Sequence, residues 1–276
     1  MKTILVPTDY SEPAYNATIY AIQLAKELGT SVRLFHAYHM PARVPDYVAG
    51  EMDDQVLLSQ EQKHMQRHIA KLEGKYGVEL SGQVLMGFAA DEVAVASSEY
   101  DLVVMGMQGG GMLQEILGSV STKVMKQAKV PVLLVPQDAS FAKPVNIIIA
   151  CNALPDLSPE NTGRLKQVLK TLGAATEILY VSKPGETGEK ATGIKKDWSS
   201  ILPTAGFSAE EAENTLDAIF SYTHGNNAGL LVTFPHKYGP IDKLLHQSST
   251  KKVAFRSDIP VLVVPETHER GGTWLF

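Results

Sequence analysis

The chain has one cysteine, no long apolar run and no excess of positive charge. Cys151 stands alone among 276 residues, so an internal disulfide is excluded. No stretch approaches the roughly 18 apolar residues that a membrane-spanning helix needs, and Met1-Lys2-Thr3 leads directly into a strand-like run instead of a secretory signal. The formal net charge of -5 gives no general attraction to nucleic acid or to an anionic membrane. These absences predict a cytosolic protein whose partners are neither nucleic acids nor membranes.

What the chain does contain is an internal repeat. The ending VPVLLVP at residues 130–136 returns as IPVLVVP at residues 259–265, each after a Ser-Thr-Lys cluster. The beginnings match too, since TILVPTDYSEP from Thr3 resembles NIIIACNALPDLSP from Asn146. Because a chain of this length exceeds one ordinary core, the repeat indicates two tandem domains. Their expected bounds are 1–139 and 144–276.

The first copy alternates short apolar runs with amphipathic segments. Continuous apolar runs suit strands buried on both faces of a parallel sheet, and apolar residues at helical spacing indicate covering helices. Ser11 and Gly29 are expected to cap the first helix, and Asp91 the third. The predicted fold is therefore α/β, with five parallel strands wound in both directions. The expected strands are 4–7, 32–37, 83–86, 102–105 and 132–135, and the expected helices are 14–28, 55–76, 91–98 and 119–128.

The second copy repeats this pattern with gaps. It is shorter, and the loss falls after its second strand, where its phosphate-loop counterpart would lie. The segment 185–196 is rich in Gly, Thr and Lys and is expected to be a loop. The expected strands are 147–150, 178–181, 230–234 and 261–264, and the expected helices are 159–172 and 209–222.

Two polar segments follow the first and fourth strands of the first copy. Ligands of open parallel sheets bind beyond the carboxyl ends of the strands, where the strand order reverses. Pro7-Thr8-Asp9 ends the first strand, and a glycine-rich loop from Gly106 to Gly111, closed by Gly118-Ser119, follows the fourth. A carboxylate accepts hydrogen bonds from ribose hydroxyls, and glycines and a helix N-terminus present backbone N–H groups to phosphate. The pattern favours a nucleotide site.

The motifs ILVPTDYSEP, DLVVMGMQGG, LGSVSTKV and VPVLLVP resemble the universal stress protein family, which lies within a superfamily of adenine-nucleotide-binding, alpha-hydrolase-like α/β domains. The resemblance covers the whole chain, twice, and implies strand order 3-2-1-4-5. It implies ATP, with or without magnesium, or a related adenine nucleotide as the ligand. Asp9 would hold the ribose, the main chain near Ala37 would meet the adenine, and Gly106 would give the ribose room. The other expected site residues are Pro7, Thr8, Gln108, Gly109, Gly118, Ser119, Val120 and Ser121.

The glycine loop departs from the pattern of the ATP-binding members. They carry nine residues between the second and third glycines, whereas eight separate Gly109 from Gly118, and Gln108 stands where a basic residue is common. One alternative is therefore that the glycines only make a tight turn and that the protein is an interaction module. Another is a slow ATPase, for which Lys123 would be the nearby cation. The leading hypothesis is a non-catalytic stress-response protein that holds the nucleotide in its first domain.

The second copy has lost most of the motif. Asn152 stands near the place of Asp9, and the loop after the fourth strand reads FPHKYG, in which proline removes a backbone donor. ATP binding is therefore predicted only for the first copy, although His236, Lys237 and His246 could hold a smaller anion. The two domains are expected to pair through their last strands, and the chain could also form a homodimer.

Two pairs of histidines and the single cysteine are interpreted as structural residues and not as functional ones. His64 and His68 lie four residues apart on a predicted helix, where two ligands alone make no metal site, and a solvated helix face is favoured. His36 and His39 are interpreted as packing or loop residues. Cys151 follows a strand, where a small buried side chain is favoured over a reactive thiol.

Overall fold

The computed structural model describes residues 3–39, 54–107, 119–151, 153–185, 188–234, 257 and 259–267. The chain divides into two compact units, the first made of residues 1–142 with 252–260 and the second of residues 143–251 with 261–276. None of the helices in the described part of the chain combines the length and the hydropathy needed to cross a membrane.

The first unit contains a five-stranded parallel sheet. Its order is β3-β2-β1-β4-β5, which confirms the predicted order. The order reverses between β1 and β4, so a crevice lies above the carboxyl ends of these two strands. The strands are β1 (Thr3–Pro7), β2 (Ser31–Tyr38), β3 (Leu80–Met86), β4 (Leu102–Met107) and β5 (Val132–Pro136).

Within its described residues this unit has four helices. The predicted caps of α1 are confirmed: the Ser11 side chain accepts a hydrogen bond from the Ala14 N–H, and Gly29 ends the helix with a φ of 61°. The predicted cap of α3 is wrong, because Phe88 precedes that helix without a side-chain cap, and Asp91 lies inside the first turn. The helices are α1 (Glu12–Leu28), α2 (Asp54–Tyr76), α3 (Ala89–Ala96) and α4 (Ser119–Gln127), and a 3-10 turn spans Ser97–Glu99.

The core of the first unit lies between α1 and the central strands. Side chains of β1 and β4 are fully buried, as expected for strands covered on both faces. Ala17 and Ala21 of α1 are also fully buried, and their small size lets the helix approach the sheet closely. The central strands therefore form a rigid base beneath the crevice.

The second unit has the same strand order. Its sheet runs β10-β9-β6-β7-β8, which in its own numbering is 5-4-1-2-3. All its pairs are parallel. The strands are β6 (Asn146–Cys151), β7 (Ala175–Ser182), β8 (Gly206–Glu211), β9 (Ala228–Thr233) and β10 (Val261–Val263), and the helices are α5 (Pro159–Leu172), α6 (Gly188–Ile201) and α7 (Thr215–Gly225).

The expected loop at 185–196 is wrong, because most of it belongs to α6. Ala191, Ile194 and Trp198 recur at spacings of three and four, which places them on one face of the helix. Ile194 and Trp198 are buried, whereas most of the Gly, Thr and Lys residues are exposed. Burial of this one face outweighs the weak helix propensity of glycine and threonine.

The expected helix at 209–222 is also wrong in its first half. Residues 206–211 form β8, which pairs with β7 from Glu177 to Ser182. The helix α7 begins at Thr215, after Asn214 has capped it by accepting from the N–H groups of Leu216 and Asp217. Ala and Glu favour a helix in isolation, so here the pairing with β7 overrides local propensity.

Candidate functional site

The turn after β1 is tightly organised. Thr8 is buried; its N–H donates to the Phe35 carbonyl at 2.9 Å and its Oγ1 accepts from the Tyr10 N–H at 3.0 Å. Asp9 is exposed, and its Oδ1 accepts from the backbone N–H and the hydroxyl of Ser11 at 3.0 and 2.5 Å. Within the described residues Asp9 Oδ2 has no hydrogen-bond partner. The turn therefore fixes one carboxylate oxygen and leaves the other facing outward for a hydroxyl donor.

Ala37 reaches the same edge of the sheet from β2. Pro7, the last residue of β1, pairs with Phe35. Continuing this register places Ala37 opposite Asp9. Ala37 is half-buried and pairs on its other side with Leu85 of β3. The residues predicted to meet a ribose and an adenine therefore both lie at the carboxyl edge of the β1–β2 pair.

Gly106 lies where α1 passes directly over β4. A Cβ at this position would lie 2.4 Å from the Pro13 carbonyl oxygen and 2.6 Å from its carbonyl carbon. Real Cβ atoms do not approach backbone this closely, so the close packing of α1 on β4 requires a glycine. The residue therefore has a structural role whether or not a ribose lies nearby.

The predicted phosphate side is described only in part. Gln108, Gly109 and Gly118 lie outside the described residues. The first turn of α4 begins at Ser119 and contains half-buried Val120 and buried Ser121. Since α4 follows β4 in the chain, its N-terminal N–H groups lie at the carboxyl edge of the sheet, where an anion would be stabilised.

Lys123 is already engaged on the neighbouring helix. Its Nζ lies 2.6 Å from Asp91 Oδ1 of α3. Both side chains are nearly half-exposed, so the pair adds little stability. It nevertheless directs the cation expected for phosphoryl transfer towards a carboxylate.

The histidines of α2 lie against a tyrosine. His64 stacks on the ring of Tyr10 with centroids 4.2 Å apart, and His68 meets the same ring edge-on at 5.3 Å. His64 is exposed, as the expected solvated helix face requires, whereas His68 is half-buried and its Nε2 is buried. The prediction therefore holds for His64 and is wrong for His68. The packing interpretation of His36 and His39 agrees with their contacts, because His36 donates to the Thr8 carbonyl and His39 stacks on Phe88.

In the part of the chain that the structure describes, no three His, Cys, Asp or Glu side chains converge as metal ligands would.

The second unit carries a buried aromatic residue at the position that corresponds to Gly106. Ile147 pairs with Leu230 as Ile4 pairs with Leu102, and continuing both registers places Phe234 where the first unit has Gly106. Phe234 is buried, and its ring lies 5.8 Å from the fully buried ring of Trp198, which α6 supplies. We call Trp198 and Phe234 the aromatic plug. Sequence reasoning missed it, although a bulky residue in place of a site glycine was a readable signal.

Cys151 lies next to the plug at the end of β6. Burial raises the pKa of its thiol to about 12, and a weaker interaction with the Trp198 indole works in the opposite direction. Because the thiolate is the reactive form, this environment disfavours reaction of the side chain in the folded protein. The interpretation as a small buried residue is consistent with this environment.

We therefore expect Cys151 to resist a thiol-specific reagent at pH 8 in the native protein and to react promptly in urea. The measurement is the time course of labelling with and without denaturant, with free cysteine as the reference. Native labelling as fast as that of free cysteine would show that β6 opens readily at its carboxyl end.

The sheet order and the polar turn above β1 and β4 define the first unit as a doubly wound α/β domain with its crevice at the topological switch point. The sequence model of the universal stress protein family matches residues 1–136. The chain belongs to the universal stress protein family. It is 32% identical over 139 residues to a universal stress protein of Methanocaldococcus jannaschii, covering 49% of this chain and 81% of that protein. It is 34% identical over 138 residues to one of Thermus aquaticus, covering 49% and 98%.

A structural likeness extends over both units. The crystal structure of a universal stress protein from Archaeoglobus fulgidus matches with a TM-score of 0.69 at 21% identity, covering 96% of this chain and 98% of that chain. At this identity the likeness concerns the fold alone. It agrees with the α/β architecture described for each unit.

Proposed function

We propose that the first unit binds ATP, or a related adenine nucleotide, as part of a stress response and without rapid turnover. The observation that carries the proposal is the turn after β1, in which Ser11 fixes one oxygen of the exposed Asp9 while the other has no hydrogen-bond partner among the described residues. A ribose hydroxyl would donate to that oxygen, and the main chain at Ala37 would border the base. The second unit is proposed to bind no nucleotide, because the aromatic plug takes the place of the site glycine.

The phosphates would lie on the opposite side of the crevice. The N-terminus of α4 with buried Ser121 supports this placement. The phosphate side would be completed by Ser119, Val120, Gln108, Gly109 and Gly118. Beneath the ribose would lie Pro7, Thr8 and Gly106. The nucleotide would enter free or as its magnesium complex. Phosphoryl transfer needs a cation and a positioned base at the phosphates, and Lys123 is held by Asp91 instead. The arrangement therefore supports holding the nucleotide over hydrolysing it.

The direct test is calorimetric titration of ATP with magnesium into protein freed of copurified ligand. One site per chain is expected. The absence of heat and of any thermal shift would reject nucleotide binding and would favour the interaction module. Two equal sites would contradict the proposal that the second unit binds no nucleotide.

Substitution of Asp9 locates the site. We expect Asp9→Ala to weaken ATP binding by roughly 10- to 100-fold, the value of a hydrogen bond to a charged group. Asp9→Asn can still accept from Ser11 and preserve the turn, so its remaining loss would report the missing charge. Glu99→Gln is the matched control, because Glu99 is exposed in the turn that precedes β4, at the opposite edge of the sheet. Asn152→Ala, at the corresponding place in the second unit, should leave binding unchanged. Equal losses from Asp9→Ala and either control would reject the assignment.

A further inference from the structure

Four rings meet where α2 crosses the turn after β1. Tyr10 is stacked by His64 at 4.2 Å, approached by His36 at 4.7 Å with the planes tilted by 42°, and met edge-on by His68 at 5.3 Å. We call these four residues the Tyr10 cluster. It joins β2, α2 and the turn that carries Asp9, and three of its four members are histidines.

The backbone at Tyr10 adopts a conformation that is uncommon for a side chain of this kind. Its φ is 63°, in the left-handed region that favours glycine. Such a conformation persists when the surrounding contacts hold it. The stacked histidines and the bond from the Tyr10 N–H to Thr8 Oγ1 supply those contacts. The shape of the turn therefore depends on the docking of α2.

The cluster is poorly prepared to accept positive charge on α2. His68 Nε2 is buried and has no hydrogen-bond partner among the described residues, and Tyr10 Oη is in the same condition. Burial, followed by the nearby His64 and Lys71, lowers the pKa of His68. A proton on His68 would thus be buried without an acceptor and close to the positive charge of Lys71.

The acidic groups near the cluster do not remove this penalty. Glu61 Oε2 faces His36 Nε2 at 3.6 Å, while His36 Nδ1 donates to the Thr8 carbonyl at 2.7 Å. Protonation of His36 would strengthen this one contact between β2 and α2, and it therefore opposes release. The Asp9 carboxylate is hydrogen-bonded to Ser11. Among the described contacts of the cluster, α1 contributes only the ring of Tyr15, whose centroid lies 6.1 Å from that of His68. The proposal takes the cost of a proton on the buried, unpartnered Nε2 of His68 as the larger of the two effects.

We propose that the Tyr10 cluster is a pH-sensitive contact that docks α2 on the turn carrying Asp9 when His68 is neutral, and that releases it when His68 is protonated. A histidine that is harder to protonate in the docked state stabilises docking fully above its ordinary pKa of about 6.5. That contribution is lost as the pH falls below this value. Because the turn holds Asp9, release would also lower nucleotide affinity; this last step rests on the proposed function.

Hydrogen exchange on the ligand-free protein tests the contact itself. Protection factors of the α2 amides, corrected for the intrinsic pH dependence of exchange, are compared at pH 7.5 and 5.5. We expect them to fall about fivefold or more in acid, while those of β4 and β5 hold. His68→Gln should remove most of the fall. His39→Gln, which alters a histidine stacked on Phe88 outside the cluster, should retain it. Unchanged protection in the wild type, or a full fall in His68→Gln, would overturn the proposal.

A second measurement avoids any failure of the variant to fold. The titration of the His68 ring protons by NMR in the wild-type protein should give a pKa below that of an unstructured histidine, and a value at or above it would overturn the proposal.

ATP affinity at the two pH values then tests whether release of α2 lowers nucleotide binding. The same ratio is measured for His68→Gln, because protonation of the nucleotide itself affects both proteins equally. The ratio of affinities should be larger in the wild type. If ATP does not bind at pH 7.5, the proposed function fails, while exchange and NMR still decide the pH-sensitive contact.

Discussion

Replacing Gly106 with alanine is expected to lower the free energy of unfolding by about 3 kcal/mol. The new Cβ would lie 2.4 Å from the carbonyl oxygen of Pro13 and 3.1 Å from the N–H nitrogen of Ala14. Both atoms belong to the backbone at the start of α1 and cannot rotate away, so the helix itself must shift. Fully buried Ala17 and Ala21 would move with it. Urea unfolding followed by circular dichroism measures the loss.

Gly74→Ala is the matched control for this prediction. Gly74 lies inside α2, and a Cβ there would meet nothing within 4 Å. Alanine has the higher helix propensity, so the variant should gain up to about 1 kcal/mol. A Gly106→Ala protein as stable as the wild type would mean that α1 does not press on β4 as described.

Trp198→Ala is expected to have the largest effect of the substitutions considered, a loss of about 4 kcal/mol. The indole is fully buried and contacts Phe234 across the crevice of the second unit. Its removal leaves a cavity of the size and shape of one aromatic ring system, and apolar cavities of this kind bind small aromatic molecules. We therefore expect added indole to raise the melting temperature of the variant and to leave that of the wild type unchanged.

Two further variants distinguish the specific effect of removing the Trp198 ring from a general loss of stability. Trp198→Phe keeps an aromatic ring in the crevice and should lose less stability than Trp198→Ala. Val145→Ala changes an exposed apolar residue of the same unit, so its effect should stay within about 0.5 kcal/mol. If indole raised the melting temperature of both Trp198→Ala and Val145→Ala, its effect would not come from the cavity.

The features that the sequence predicted well are those with a local signal. The buried strands of the first unit are unbroken apolar runs, and α1 carries a serine before it and a glycine after it. Thr8 and Asp9 lie at the carboxyl end of β1, as predicted, because polar residues directly after an apolar run mark the end of a buried strand. Their ligand stays a prediction, as does the pairing of the two domains.

The features that sequence reasoning missed depend on contacts between distant segments. The strand β8 carries residues that favour a helix and exists because β7 pairs with it. The helix α6 has only one buried face, formed mainly by Ile194 and Trp198, inside a polar composition. The Tyr10 cluster joins residues up to 58 positions apart, from Tyr10 to His68, and no spacing rule connects them. Each miss reflects tertiary packing that overrides a local preference.

The aromatic plug also fixes the form of the response to ligand. If the first unit alone binds nucleotide, as proposed, there is one binding event per chain, and the second unit offers no second nucleotide site that could make binding cooperative. Occupancy should then follow a simple hyperbola with a Hill coefficient of one per chain. Such a protein reports the concentration of its ligand in a graded manner over a wide range and does not act as a threshold device.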